Sequence, residues 1–66
     1  MNWDQIQGKW MQLKGEAKNE WAKLTDDDVE RAEGNKDKLV GIIQEKYGKS
    51  KEEVQTEVDS WMRRIS

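Results

Sequence analysis

Seven apolar residues in the first third of the chain recur at steps of three or four: Trp3, Ile6, Trp10, Leu13, Ala17, Trp21 and Leu24. At about 100° per residue their side chains fall within an arc of roughly 80°, the narrow stripe of an amphipathic helix. The spacing predicts one long helix over about residues 3 to 22. Gly8 and Gly15 project away from the stripe, and each weakens a helix by about 1 kcal/mol relative to alanine. They mark the two places where this helix is expected to bend or break; a close helix–helix contact in an oligomer is the alternative use for them.

Thr25-Asp26-Asp27-Asp28 has the pattern of a helix start. The Thr25 hydroxyl can accept from a first-turn N–H, and Asp28 stands where the acid of a capping box stands. Val29 and Ala32 give this short second helix a modest apolar face, and Gly34 is its expected stop. A third helix is predicted over Lys36 to Tyr47. Its Leu39, Val40, Ile42, Ile43 and Tyr47 cover a wide arc, as a central helix touching several neighbours requires, and Gly48 closes it. Ser50-Lys51-Glu52-Glu53 reads as a capping box for a fourth helix, in which Val54, Val58, Trp61 and Ile65 recur at helical steps with Met62 on the flank. Arg63 and Arg64 suit its negative C-terminal end. The three-residue link Gly48-Lys49-Ser50 makes the last two helices an αα-hairpin. The expectation is an all-α bundle of about four helices, two packed α-hairpins forming a single domain over residues 1–66.

Composition changes this picture in one respect. Charged residues make up 39% and hydrophobic residues 33%, a balance close to that of disordered chains. The four tryptophans, each on a periodic apolar position, decide for a folded core. There is no cysteine and no histidine, so disulfides, thiolate zinc sites and Cys or His nucleophiles and bases are excluded. Twelve basic and fourteen acidic residues leave a net charge of −2, which gives no strong signal for nucleic acid or anionic lipid. No apolar run approaches the roughly 20 residues of a membrane span. Met1-Asn2-Trp3-Asp4 carries neither a basic nor a hydrophobic leader region, so a cytoplasmic location is expected.

Three groups of residues are candidate sites. Asp26, Asp27 and Asp28 with Glu30 and Glu33 could attract Ca²⁺ or Mg²⁺, but Arg31 stands at the sixth position, where an EF-hand loop needs glycine; helix capping is the better reading. The tryptophans could stack on sugars or bases, but they share one face with Ile6, Leu13 and Leu24 and are expected in the core. Met11, off the stripe, is surface scatter. Lys9, Lys14, Lys18 and Lys23 alternate with Asp4, Glu16 and Glu20, which suggests solvated surface with pairing along the helix. Residues 25 to 33 hold five acids against Arg31 alone, which points to a dipolar molecule. No catalytic residue, cofactor site or metal site is assigned, and the expected state is a monomer whose partner, a protein among the possibilities, the residues do not identify.

The spacing resembles the CsbD-like family of small bacterial stress-response proteins. The residues that carry it are Trp3, Ile6, Gly8, Trp10, Gln12, Gly15, Lys18, Trp21 and Leu24-Thr25-Asp26-Asp27-Asp28. The later stretch from Leu39-Val40-Gly41 through Ile43-Gln44-Glu45 to Tyr47-Gly48, with Val58 and Trp61, completes the pattern. The resemblance implies a small helical bundle of two orthogonal hairpins, produced under general or osmotic stress, with no agreed activity, cofactor or catalytic residue. A non-catalytic protein acting by binding or by abundance is the expectation. A nucleic-acid-binding module and a membrane-surface amphipathic protein are its rivals.

Overall fold

Asn2 opens the first helix in a computed structural model that describes residues 1–65. Its side chain accepts from the Gln5 N–H at 2.9 Å, and the Gln5 side chain accepts from the Asn2 N–H at 3.0 Å. This capping box starts α1 (Trp3–Gly8). At Lys9 the backbone turns to φ −111° and ψ 19°, and α2 (Trp10–Glu20) follows. The helix expected over residues 3 to 22 is therefore interrupted at the first of its two expected places, and the described residues form five helices where about four were expected. Gly8 stands at the break, while Gly15 lies inside α2 without interrupting it.

The remaining elements follow their local signals closely. Thr25 and Asp28 exchange reciprocal bonds of 3.0 and 3.1 Å at the start of α3 (Asp26–Ala32). This helix stops through two left-handed residues, Glu33 at φ 54° and Gly34 at φ 72°. The Asn35 side chain caps α4 (Lys36–Tyr47) by accepting from Lys38 N–H, and Gly48 ends it at φ 64°. Ser50 caps α5 (Lys51–Arg64) by accepting from Glu53 N–H at 3.2 Å. Only half of the expected capping box forms here, because the Glu53 carboxylate takes the Ser50 hydroxyl itself, at 3.3 Å.

Among the described residues every regular element is a helix. Consecutive helices pack on one another, and α4 and α5 form the expected hairpin. The core joins Ile6 of α1, Trp10 and Ala17 of α2 and Trp21 and Leu24 of the link to Val29 and Ala32 of α3, with Leu39, Val40, Ile42 and Ile43 of α4 and Val54, Val58 and Trp61 of α5. Four buried residues on α4 confirm its central position. Trp3 and Leu13, expected on the same stripe, are only partly buried. Trp21 meets Trp61 edge to face at 5.4 Å, an arrangement favoured by the ring quadrupoles, and so closes α5 against the end of α2.

Candidate functional site

The acid-rich segment comes first, because it held the densest chemistry in the sequence. All five of its acids have a cationic partner. Lys18 pairs with Asp26, Arg31 with Asp27 and Asp28, Lys14 with Glu30, Lys38 with Glu33, and Lys46 with Asp28. The pairs of Lys14 and Lys18 run across to α3 instead of along their own helix. The basic stretch of α2 lies against the acidic stretch of α3, so the expected dipole is neutralised locally.

Asp28 is the buried member of this group, at 2% exposure. Its carboxylate accepts from the Thr25 backbone N–H at 3.0 Å, the Lys46 ammonium at 3.0 Å and the Arg31 guanidinium at 2.6 Å. These bonds, that of Thr25 foremost and then that of Lys46, hold the carboxyl well below the usual carboxylate range against the opposing effect of burial. Asp26 is lowered by Lys18, Glu33 by Lys38, and Glu57 by Lys49 with help from the Trp21 indole. The sequence marked Asp28 as a cap; its burial and its bond to Lys46 required the approach of α4. Among the described residues no three acids converge as a cage for a metal ion.

The tryptophans are committed inward. Trp10, Trp21 and Trp61 are buried and Trp3 is partly so. Three indole N–H groups reach named acceptors: Trp3 donates to the Gly34 carbonyl at 2.7 Å, Trp10 to the Val29 carbonyl at 2.8 Å, and Trp21 to the Glu57 carboxylate at 3.0 Å. Val29 lies in the last turn of α3, where helix carbonyls run out of intrahelical donors. Two rings of the first stripe thus complete the C-terminal end of α3. The rings of Trp10, Trp21 and Trp61 are packing surfaces, as expected, and Trp3 packs against the same core.

Two open grooves lie on the surface of the described residues. One lies between α2 and α3 and measures about 500 Å³; Val29 and Gly15 line it beside the paired Lys14, Glu30, Lys18 and Asp26. Met11 stands on its edge, 78% exposed. The other, of about the same volume, is formed by Arg31, Lys38, Gly41, Ile42 and Glu45. Neither groove was foreseen. Grooves arise between elements, and the only local signal was Met11, an apolar residue off the stripe. Both present charged and aliphatic surface. Among the described residues no helix is long and apolar enough to cross a membrane.

The chain matches the model of the CsbD-like family over residues 4–56. It is 53% identical to UPF0337 protein YjbJ of Escherichia coli O6:H1, over 97% of this chain and 93% of that protein. It is 56% identical to a UPF0337 protein of Pectobacterium atrosepticum, over 92% and 88% of the two chains, and 57% identical to one of Bordetella pertussis, over 88% of each. No solved structure is significantly similar. With most of its length covered by the family model and by these bacterial relatives, the chain belongs to the CsbD-like family.

Proposed function

We infer that the chain, acting as one domain over residues 1–66, is a non-catalytic bacterial stress-response protein that works in the cytosol by binding a partner or through its abundance. Membership of the CsbD-like family supports the stress assignment. One structural observation supports the non-catalytic half: the groups with the greatest chemical potential are already occupied by the fold. The Asp28 carboxylate has Thr25, Arg31 and Lys46 on it, and the indoles of Trp3, Trp10 and Trp21 each have an acceptor. Such saturation leaves these groups without the free, convergent position that acid–base or nucleophilic catalysis uses, which supports the non-catalytic reading.

The test is to follow protein level across growth phase and osmolarity and to compare a deletion strain with its parent under the same stresses. A rise in level on entry to stress and a survival defect on deletion are expected. Flat expression together with an unchanged deletion strain removes the stress assignment. A gel shift with DNA and RNA addresses the main rival. The pairing of Lys14 and Lys18 with acids of α3 leaves those cations less free for phosphates, so no binding below about 10 µM with a steep salt dependence is expected.

A further inference from the structure

Lys9 stands between α1 and α2 and shares its backbone between them. Its N–H bonds back to the Gln5 and Ile6 carbonyls at 3.1 Å, and its carbonyl accepts from the Gln12 and Leu13 N–H groups at 2.9 Å. Among the described residues no backbone hydrogen bond runs from α2 to α1 itself, so the ladder is interrupted here. A residue's N–H lies before its φ bond and its carbonyl after its ψ bond, and these two bonds are the soft ones. Rotation about φ and ψ of Lys9 therefore swings α1 against α2 without breaking a backbone hydrogen bond. The start of α2 also lacks a capping side chain, whereas Asn2, Thr25, Asn35 and Ser50 cap the other helices.

Few contacts hold α1 down. Ile6 is its buried residue and Trp3 is half-buried, while Asp4, Gln5, Gln7 and Gly8 are exposed. Among the described residues its one side-chain hydrogen bond to another part of the fold is that of the Trp3 indole to the Gly34 carbonyl, and no ion pair joins it to another element. By contrast, α2 is fastened to α3 by the Trp10 bond to Val29 and by the pairs Lys14–Glu30 and Lys18–Asp26, none of which involves α1. We propose that α1 is a latch that opens as one unit about Lys9 while α2 to α5 stay folded. It closes over the left-handed corner between α3 and α4. Gly34 is buried there, and a methyl group on it would stand 3.1 Å from the Gln7 Cα. The Trp3 ring lies tilted against that of Trp10, with centroids 6.4 Å apart. Opening frees the Gly34 carbonyl and one side of the Trp10 ring. Such an event is a local unfolding, which costs less than global unfolding because most of the core is kept. Once detached, α1 is too short to persist as a helix in water, so its amides become exposed.

Native-state hydrogen exchange on the whole chain tests the latch. The Ile6 and Lys9 amides and the Trp3 indole N–H, each hydrogen-bonded in the closed state, report on α1. Amides in the middle of α4 and α5 report on the remainder. The three α1 probes are expected to share one protection factor, about tenfold or more below that of α4 and α5. Low concentrations of urea should scarcely change it, because the opening exposes little surface. Trp3→Phe removes the indole bond and is expected to lower protection of the two α1 amides about two- to tenfold. Ile43 is fully buried, about two turns into α4 from the Gly34 corner. Ile43→Val is expected to lower protection of α4 and α5 about two- to tenfold and to leave the α1 probes unchanged. Equal protection of α1 and the core in the parent, or no protection of α1 at all, overturns the proposal. So does a parallel loss at both sets of probes in Ile43→Val, or an unchanged α1 in Trp3→Phe.

Discussion

The Lys46 ammonium lies 3.0 Å from Oδ2 of Asp28, whose side chain is 3% exposed, and so ties the last turn of α4 to the first turn of α3. A buried charge left without its partner is more harmful than an exposed one left the same way. Lys46→Met and Asp28→Ala are therefore each expected to lower the thermal midpoint clearly more than Asp26→Ala, which removes only an exposed pair. Equal shifts for the three variants would deny Asp28 its role as a cross-link.

The pH dependence follows from the same bonds. The folded-state value of Asp28 lies below its ordinary value of 3.8, and those of Asp26, Glu33 and Glu57 are also lowered. A lowered carboxyl contributes stability that is present above its unfolded value and is lost as pH falls through its folded value. Stability is thus expected to be level from neutrality down to the ordinary carboxylate range and to decline below it. Asp28→Asn is expected to flatten that acid limb in urea titrations taken at successive pH values. An acid limb as steep in Asp28→Asn as in the parent would place the linkage elsewhere.

Trp10→Ala and Trp61→Ala are each expected to leave the chain largely unfolded at room temperature. Truncating a buried tryptophan costs about 3–5 kcal/mol, comparable with the whole margin of a domain this small. Trp10→Phe isolates the indole bond to the Val29 carbonyl and is expected to cost about 1–3 kcal/mol. Met11→Ala, at an exposed position, is expected to change stability by no more than about 0.5 kcal/mol. Far-UV circular dichroism and urea midpoints measure all four. Native helicity and midpoint in Trp10→Ala would return the ring to the surface and reopen ligand stacking.

Two glycines separate backbone need from helix propensity. Gly34 has φ 72°, and a methyl group there would meet the Gln7 Cα and the Trp10 Cβ at 3.1 and 3.3 Å. Gly34→Ala combines left-handed strain with a backbone clash and is expected to cost about 2 kcal/mol or more. Gly15 lies within α2 with open space around it, and Gly15→Ala is expected to stabilise by about 0.5–1 kcal/mol. Opposite shifts in the urea midpoint are the expected outcome.

Millimolar Ca²⁺ or Mg²⁺ is expected to leave the melting temperature nearly unchanged, because Asp26, Asp27 and Asp28 are already held by Lys18, Arg31 and Lys46. A bound ion at a hundredfold excess over Kd would add about 2.7 kcal/mol. A rise of several degrees with Ca²⁺, absent with NaCl of equal ionic strength, would reveal a site among these carboxylates.

Most helix boundaries were legible in the sequence, since caps and stops are local. Thr25 and Asp28 bond across three residues, Gly48 turns the chain at its own φ, and the stripe that includes Ile6, Ala17 and Trp21 needs only a regular step to mark a buried face. The break at Lys9 had no such origin. Gly8 made a bend permissible there and Gly15 made one equally permissible seven residues on; contact with Gly34, distant in sequence, chose between them. The short cap of Asn2 and Gln5 was there to be read but was masked by the continuous stripe. Asp28 shows the same division within one side chain. Its place in the first turn of α3 follows from its neighbours in sequence, whereas its burial and its bond to Lys46 exist only because α4 packs alongside. Local bonding set where helices start and stop. Which face of α3 met α2 and α4, and so which charges were paired and which grooves stayed open, was decided by packing between segments whose periodicity carries no record of one another.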